Sequence, residues 1–404
     1  MHLTVTFAIN GGSKVIDYTP GVSWPTYNDK DLHGLKTVWE QKKQGKNGPA
    51  SKKFAKRFAE YNNVKHCILC ANGTVALSLV LRGLEIGRGD EVIIPPYTFI
   101  ATISSVIYSG ATPVFADIDP TTCNLSIDSV RSKITKRTKS VIPVSIGGRP
   151  ADMDIMDAFA KETGLYIIND AAQAVGSAWR GKGIGSYGIA ATFSCQNTKN
   201  LTCGEGGIIT TNDDVLAENV KKILNGGVDE NGEYSYVGID YNMTEWQAAL
   251  LDSQMDKLDA EISRRMDNAE YLDSLLESIP CVSSLAKDAR ITKNSYHFYV
   301  MRLNAVALAG VTRDTFFNTL AAEGAGVVNG YVPLYTFPCL SNSYTTKTVG
   351  CEINLSPGTP TAENISYNEA IWLMHTKLLD DKKTIKDLAD AIIKVYEHLY
   401  ELGG

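Results

Sequence analysis

No run of about 18 apolar residues occurs in the 404-residue chain, so no helical membrane span is expected. The first ten residues lack a basic stretch ahead of a long apolar core, and no secretory signal is expected. Positive charge is scarce. The 39 Lys and Arg are outnumbered by 45 Asp and Glu, and a formal charge of −6 argues against nucleic acid as the main partner. No disulfide framework is visible, because the eight cysteines stand at irregular spacings in a long chain. That usage reads as reduced thiols in the cytoplasm. Cys67 and Cys70 form a CxxC, but no second pair stands at zinc-ligand spacing, and Ile68 and Leu69 between them are apolar. Two small core residues at a strand end is the plainer reading, and no metal site is expected. Internal repeats, low-complexity tracts and flexible linkers are also missing.

What is present is a regular alternation of short apolar runs and amphipathic stretches. After an irregular start, helices are expected over Asp31–Gln41 and Ser51–Tyr61, with a break at Gly45–Pro49. Lys42, Lys43, Lys46, Lys52, Lys53, Lys56 and Arg57 form a basic cluster, either a solvated helix face or a patch that meets a phosphorylated substrate. Strands then read at Cys67–Cys70, Glu91–Ile94, Pro113–Asp117, Ser140–Ser145, Tyr166–Asp170, Ala191–Cys195 and Gly207–Thr211. Between the earlier ones lie helices from Thr74, across Thr98–Ser109, near Ile127–Ile134 and across Asp152–Glu162. This order predicts an α/β fold with a mostly parallel central sheet between helices. A long helical pattern runs from Thr244 to Ile279 and carries the expected boundary between a large domain, 1–255, and a smaller C-terminal α+β domain, 256–404. The smaller domain reads as a strand at His297–Leu303, a helix at Arg313–Glu323, a loop-rich segment at Asn329–Asn364 and a last helix at Lys382–Glu401.

In parallel sheets ligands gather at strand C-terminal ends and helix N-termini, and there the chemistry-bearing residues fall. Lys199 stands between two apolar strands and ahead of Gly204-Glu205-Gly206-Gly207, a setting that suits a Schiff-base lysine as well as a solvated loop residue. Asn72-Gly73-Thr74 opens a helix, so it is either an anion cradle or an ordinary N-cap. Ser194 follows a strand and could join that cradle. Asp170 ends a strand and needs a positive partner, for which a protonated pyridine nitrogen would serve. Gln173 could meet a phenolic oxygen, and Phe99 could stack on a ring or sit in the core. Taken together, these groups describe a site for pyridoxal 5′-phosphate.

The chain resembles the DegT-type family of sugar aminotransferases, of fold type I among pyridoxal phosphate enzymes. The likeness runs through Ala8–Gly12, Asn72-Gly73-Thr74, Gly89–Pro95 with Tyr97-Thr98-Phe99, and Gly148–Asp154. It continues through Asp170–Ala174, Lys199 with Gly204–Gly207, and Met243-Thr244-Glu245 with Gln247-Ala248-Ala249. The resemblance implies that Lys199 binds the cofactor covalently and later moves protons between it and the substrate carbon. It implies that Asp170 pairs with the ring nitrogen, Gln173 lies near the ring hydroxyl, and Phe99 stacks on the ring. Gly73, Thr74 and Ser194 would hold the phosphate, and Asn242 would reach the phosphate of a neighbouring subunit in a homodimer. Lys46, His297, Tyr331 and Tyr335 would line the acceptor pocket.

The implied activity passes the amine of L-glutamate or L-glutamine, through pyridoxamine 5′-phosphate, to a keto sugar, nucleotide-linked, or to a keto cyclitol. Departures from the family pattern are Asp240, Asn242, Asn169, Val175, Ser145 and Cys195. They spare the lysine and its acid and bear on the substrate. Sugar dehydratases of the family carry histidine in place of the lysine, so Lys199 argues against that activity. The alternatives are a relative that makes an aromatic amino acid by dehydration or aminates a cyclitol, and a non-enzymatic cofactor-binding regulator.

Overall fold

A seven-stranded sheet carries the first part of the chain. Its strands are β1 (His66–Cys70), β2 (Glu91–Ile94), β3 (Thr112–Phe115), β4 (Thr138–Val141), β5 (Tyr166–Asp170), β6 (Ala190–Ser194) and β7 (Gly207–Thr211). The computed structural model behind this description covers residues 6–402 except 230 and 351, so Cys351 lies outside it. The spatial order is β1-β7-β6-β5-β4-β2-β3. Pairing is parallel from β3 through β2, β4 and β5 to β6. Only β7 runs against the others, joined antiparallel to β6 and β1.

The strands are apolar on both faces because both are covered. Val92 and Ile94 belong to one core with Ile68, Cys70, Ile209 and the helices Gly73–Gly83, Ile100–Ser109 and Asp214–Leu224. Ile93, alternating with them, belongs to the other, with Val141, Phe193, Phe54, Phe58, Met156 and Leu258. Cys67 and Cys70 both lie on β1, and the seven described cysteines are free thiols. No helix among the described residues is long and apolar enough to cross a membrane.

A second sheet is antiparallel and built from Val282–Ser284, Phe298–Leu303, Ala370–Met374 and Val328–Asn329. Its core joins Tyr299, Met301 and Leu373 to the helices Arg313–Ala322 and Lys382–Glu397. Phe7 and Ile16 sit in this core as well. The start of the chain, expected with the large domain, thus packs against this second sheet. The buried Glu323 carboxylate accepts the N–H groups of Ala8 at 2.9 Å and Val15 at 3.1 Å, and Lys394 at 2.9 Å supplies its counter-charge.

The helix Glu245–Leu276 continues unbroken through residue 255 and packs on both halves. Its first residue, Glu245, is buried and accepts from Gly48 N at 3.0 Å, Ala50 N at 2.7 Å, Ser51 N at 3.0 Å and the Ser51 hydroxyl. A carboxylate from one helix thus caps the N-terminus of another, Pro49–Asn62, where orphan N–H groups and the helix dipole both favour it.

Several elements differ from the sequence reading. The helix Asp214–Leu224 went unanticipated although Asp213 caps it, accepting from Leu216 N at 2.7 Å. Ala370–Met374 was missed because an apolar run of five fits a helix turn as well as a strand. The strand expected to reach Ser145 ends at Val141; Pro143 has no N–H to donate, and beyond it the chain keeps a bridge from Val144 to Asp170.

Candidate active site

The C-terminal ends of β5 and β6 and the N-termini of two helices meet at one place. Lys199 is carried on the turn that joins β6 to β7. That turn closes on itself through Cys203 N to Cys195 O at 3.1 Å, the Thr202 hydroxyl to the same oxygen at 3.0 Å, and Lys199 N to Gln196 O at 2.8 Å. The amine is half-buried and has lost much of its hydration. Burial lowers its pKa from 10.5 to about 8, against the pull of the Asp170 carboxylate towards the charged form. At neutral pH a useful fraction of the amine is therefore free to act as a nucleophile.

Asp170 closes β5 and is buried. One oxygen accepts the Thr102 hydroxyl at 2.9 Å, and the other accepts Ala172 N–H at 3.2 Å. Burial nonetheless raises the carboxyl above its ordinary value, with Ala172, Thr102 and the Lys199 charge opposing. A carboxylate so placed gains from a cationic partner. Thr102 is held in turn by Thr98, hydroxyl to hydroxyl at 3.0 Å.

Gln173 follows on the same loop. Its Oε1 accepts Gly147 N–H at 2.7 Å, which leaves Nε2 to donate to the Tyr331 hydroxyl at 2.7 Å. Tyr331 packs edge-on against Trp372 at 5.0 Å and faces Phe99 at 6.5 Å. Phe99 is 57% exposed and stands just before the helix Ile100–Ser109. An aromatic left open beside Tyr331 offers a face to a flat ring.

The cradle lies at the start of the helix Gly73–Gly83. Asn72 is its N-cap, accepting Val75 N–H at 3.0 Å, so Thr74 is not the cap but a first-turn residue. First-turn N–H groups have no partner within a helix. A Cβ on Gly73 would lie 2.9 Å from Ser194 Cβ, and one on Gly207 would lie 2.2 Å from Asn72 O. The absence of both side chains brings the helix terminus against the end of β6.

These residues fit pyridoxal 5′-phosphate: an amine with a depressed pKa, a buried carboxylate with capacity for a cation, an open aromatic face, and an anion cradle at a helix N-terminus.

His297, expected to line the acceptor pocket, is buried beside the lysine. Its Nε2 is 3.4 Å from Lys199 Nζ. Tyr335 is not brought to this group: its hydroxyl bonds Thr359 at 2.9 Å and Glu363 at 2.7 Å, and its ring packs on Phe115. Asn242 donates to Leu224 O at 3.0 Å and to Asp240 at 2.6 Å, and Asp240 pairs with Lys46 at 3.3 Å. Lys46, Asp240 and Asn242 therefore form their own surface group. Sequence reasoning missed Thr102, Asn200 and His375. Thr102 stands one helical turn after Phe99 and Asn200 directly follows Lys199, so spacing could have suggested both. For His375, whose ring stacks on His297 at 5.6 Å, no sequence signal exists.

The fold and this constellation define a fold type I, pyridoxal phosphate-dependent aminotransferase. Within that class, the chain belongs to the DegT/DnrJ/EryC1/StrS aminotransferase family, which it matches over residues 27–392. It is 33% identical over 419 residues to the L-glutamine:2-deoxy-scyllo-inosose aminotransferase of Streptomyces lividus, covering 97% of this chain and 98% of that protein. It is 40% identical over 287 residues to the GDP-perosamine synthase of Caulobacter vibrioides, covering 70% of this chain and 77% of that one. Among solved structures, DesI in the presence of its TDP-sugar product superposes with a TM-score of 0.85 at 28% identity, over 98% of this chain and 97% of that one.

Proposed function

We propose that the enzyme transfers the amine of L-glutamine or L-glutamate to the ketone of a nucleotide-linked keto sugar or a keto cyclitol. The observation that carries this reading is the pair formed by half-buried Lys199, its amine depressed to about 8, and buried Asp170 at the neighbouring strand end. Pyridoxal phosphate, when bound, supplies an aldehyde for amines and a ring that takes up electron density. Lys199 is the attachment point and the group that moves a proton to and from the reacting carbon. Asp170, fixed by Thr102 and Ala172 N–H, holds a proton on the ring nitrogen. Gly73, Thr74 and Ser194 would receive the phosphate, Phe99 would cover a ring face, and Gln173 would orient the ring oxygen. Tyr331 faces the acceptor.

Relatives that act on a cyclitol and on a sugar nucleotide support the acceptor class. A homodimer, with Asn242 of one copy serving the phosphate site of the other, completes the proposal; sedimentation at micromolar concentration should give twice the chain mass.

The test is direct. The purified protein should be yellow, lose that absorption with L-glutamine or L-glutamate, and regain it with acceptor. Borohydride reduction should label Lys199. Turnover by Lys199→Ala at the native rate would overturn the proposal.

A further inference from the structure

His297 touches the lysine, and its surroundings fix which ring nitrogen carries hydrogen. Its Nδ1 lies 3.2 Å from Asn200 Oδ1. Asn200 is itself oriented, because its Nδ2 donates to the Ser295 carbonyl at 2.7 Å. Arg265 Nε donates to that same carbonyl at 2.8 Å. A reversed amide would set oxygen against an oxygen already committed as an acceptor. Asn200 therefore presents its oxygen to the imidazole, Nδ1 carries the hydrogen, and Nε2 turns a lone pair towards Lys199 Nζ.

The ring is also held neutral. Burial comes first, and the charged or titratable groups around it are Lys199 on the turn, Arg265 on the long helix, and His375 stacked alongside. Together they push the imidazolium form well below its ordinary range. His375 is neutral too, lowered to about 3 by burial, with Nε2 donating to Thr198 O at 3.0 Å.

We propose that His297 is a positioning residue for Lys199: a neutral imidazole in the Nδ1–H form whose Nε2 accepts one Nζ hydrogen whenever the amine is free. With one N–H anchored there, the amine's lone pair and second hydrogen are left on the side of the cleft, where the reacting carbon arrives. The inference rests on Lys199 being the attachment point, and it gives this histidine a role behind the amine instead of against the acceptor.

The test uses the full-length enzyme in its pyridoxamine 5′-phosphate form, in which the amine is free. The chain has six histidines, so nitrogen-15 spectra of histidine-labelled protein can be resolved, with His297→Gln supplying the assignment. The expected result is a neutral Nδ1–H pattern for His297, unchanged from pH 6 to pH 9. An Nε2–H pattern, or a titration within that window, would overturn the proposal. Kinetics give a second readout. His297→Leu should lower kcat about tenfold with acceptor KM within about twofold, and His297→Gln, whose Oε1 can accept the same hydrogen, should restore most of the loss. Equal loss in both variants would also overturn it. Borohydride labelling is read separately: label at a residue other than Lys199 defeats the attachment reading, whatever the histidine spectrum shows.

Discussion

Gly73 and Ser194 face each other so closely that a Cβ on the glycine would come within 2.9 Å of the serine Cβ. On the proposed reading, the helix N-terminus and the end of β6 share the phosphate across this close approach. Gly73→Ala should spread the cradle, at a cost of about 1–3 kcal/mol for overpacking. Apoprotein titrated with pyridoxal phosphate should bind about tenfold or more weakly, with far-ultraviolet circular dichroism unchanged. Native affinity in this variant would remove the cradle assignment.

Lys199 is expected to destabilise the ligand-free fold. An unfolded lysine titrates at 10.5 and the folded one at about 8, so between those values the unfolded chain binds the extra proton. Stability from this group therefore rises as pH climbs from about 8 towards 10.5, and the full penalty applies below 8. Lys199→Met apoprotein should be more stable than the native apoprotein at pH 7, by about 3 kcal/mol, and the gap should narrow by pH 10. Urea denaturation at several pH values measures it. A gap that widens with pH would contradict the assigned shift.

Asp170 and Thr102 should rank in order. Asp170→Asn removes the charge that keeps the ring nitrogen protonated and should lower kcat about a hundredfold. Thr102→Val removes one hydrogen bond to that carboxylate and should cost about tenfold. Steady-state rates with L-glutamine compare them, and an equal or reversed ranking would show that Asp170 acts otherwise.

Glu245 is expected to matter for stability more than its surface neighbours do. Glu245→Ala strands three N–H groups and a hydroxyl at the start of Pro49–Asn62. The loss should be about 3 kcal/mol, read as a lowered Tm. A change near zero would mean that water replaces the carboxylate without cost.

Much of the main sheet was legible in sequence because its strands are short, apolar and separated by strong helix signals. Glu91–Ile94, Tyr166–Asp170 and Gly207–Thr211 match their expected ends. The placement of Lys199 and Asp170 was legible too, since each closes or follows such a strand. The C-terminal part was harder. Ala370–Met374 pairs with Phe298–Leu303 across some seventy residues of chain, and nothing local announces that pairing. His297 read as a pocket residue because a sequence cannot tell which neighbour an imidazole faces. Here one ring nitrogen lies 3.4 Å from Lys199 Nζ and the other 3.2 Å from Asn200 Oδ1.

The turn bearing Lys199 returns the chain directly beside the strand it left, whereas β5, which ends in Asp170, is reached from β4 through the helix Met153–Thr163. The segment bearing Lys199 is therefore a cassette. Its backbone is closed by its own hairpin, and no crossover depends on the side chain at position 199. A substitution at that position is expected to exchange the reactive group and leave the backbone that carries the carboxylate, the cradle and the aromatic face in place. The scaffold is thus open to chemical diversification at a single position.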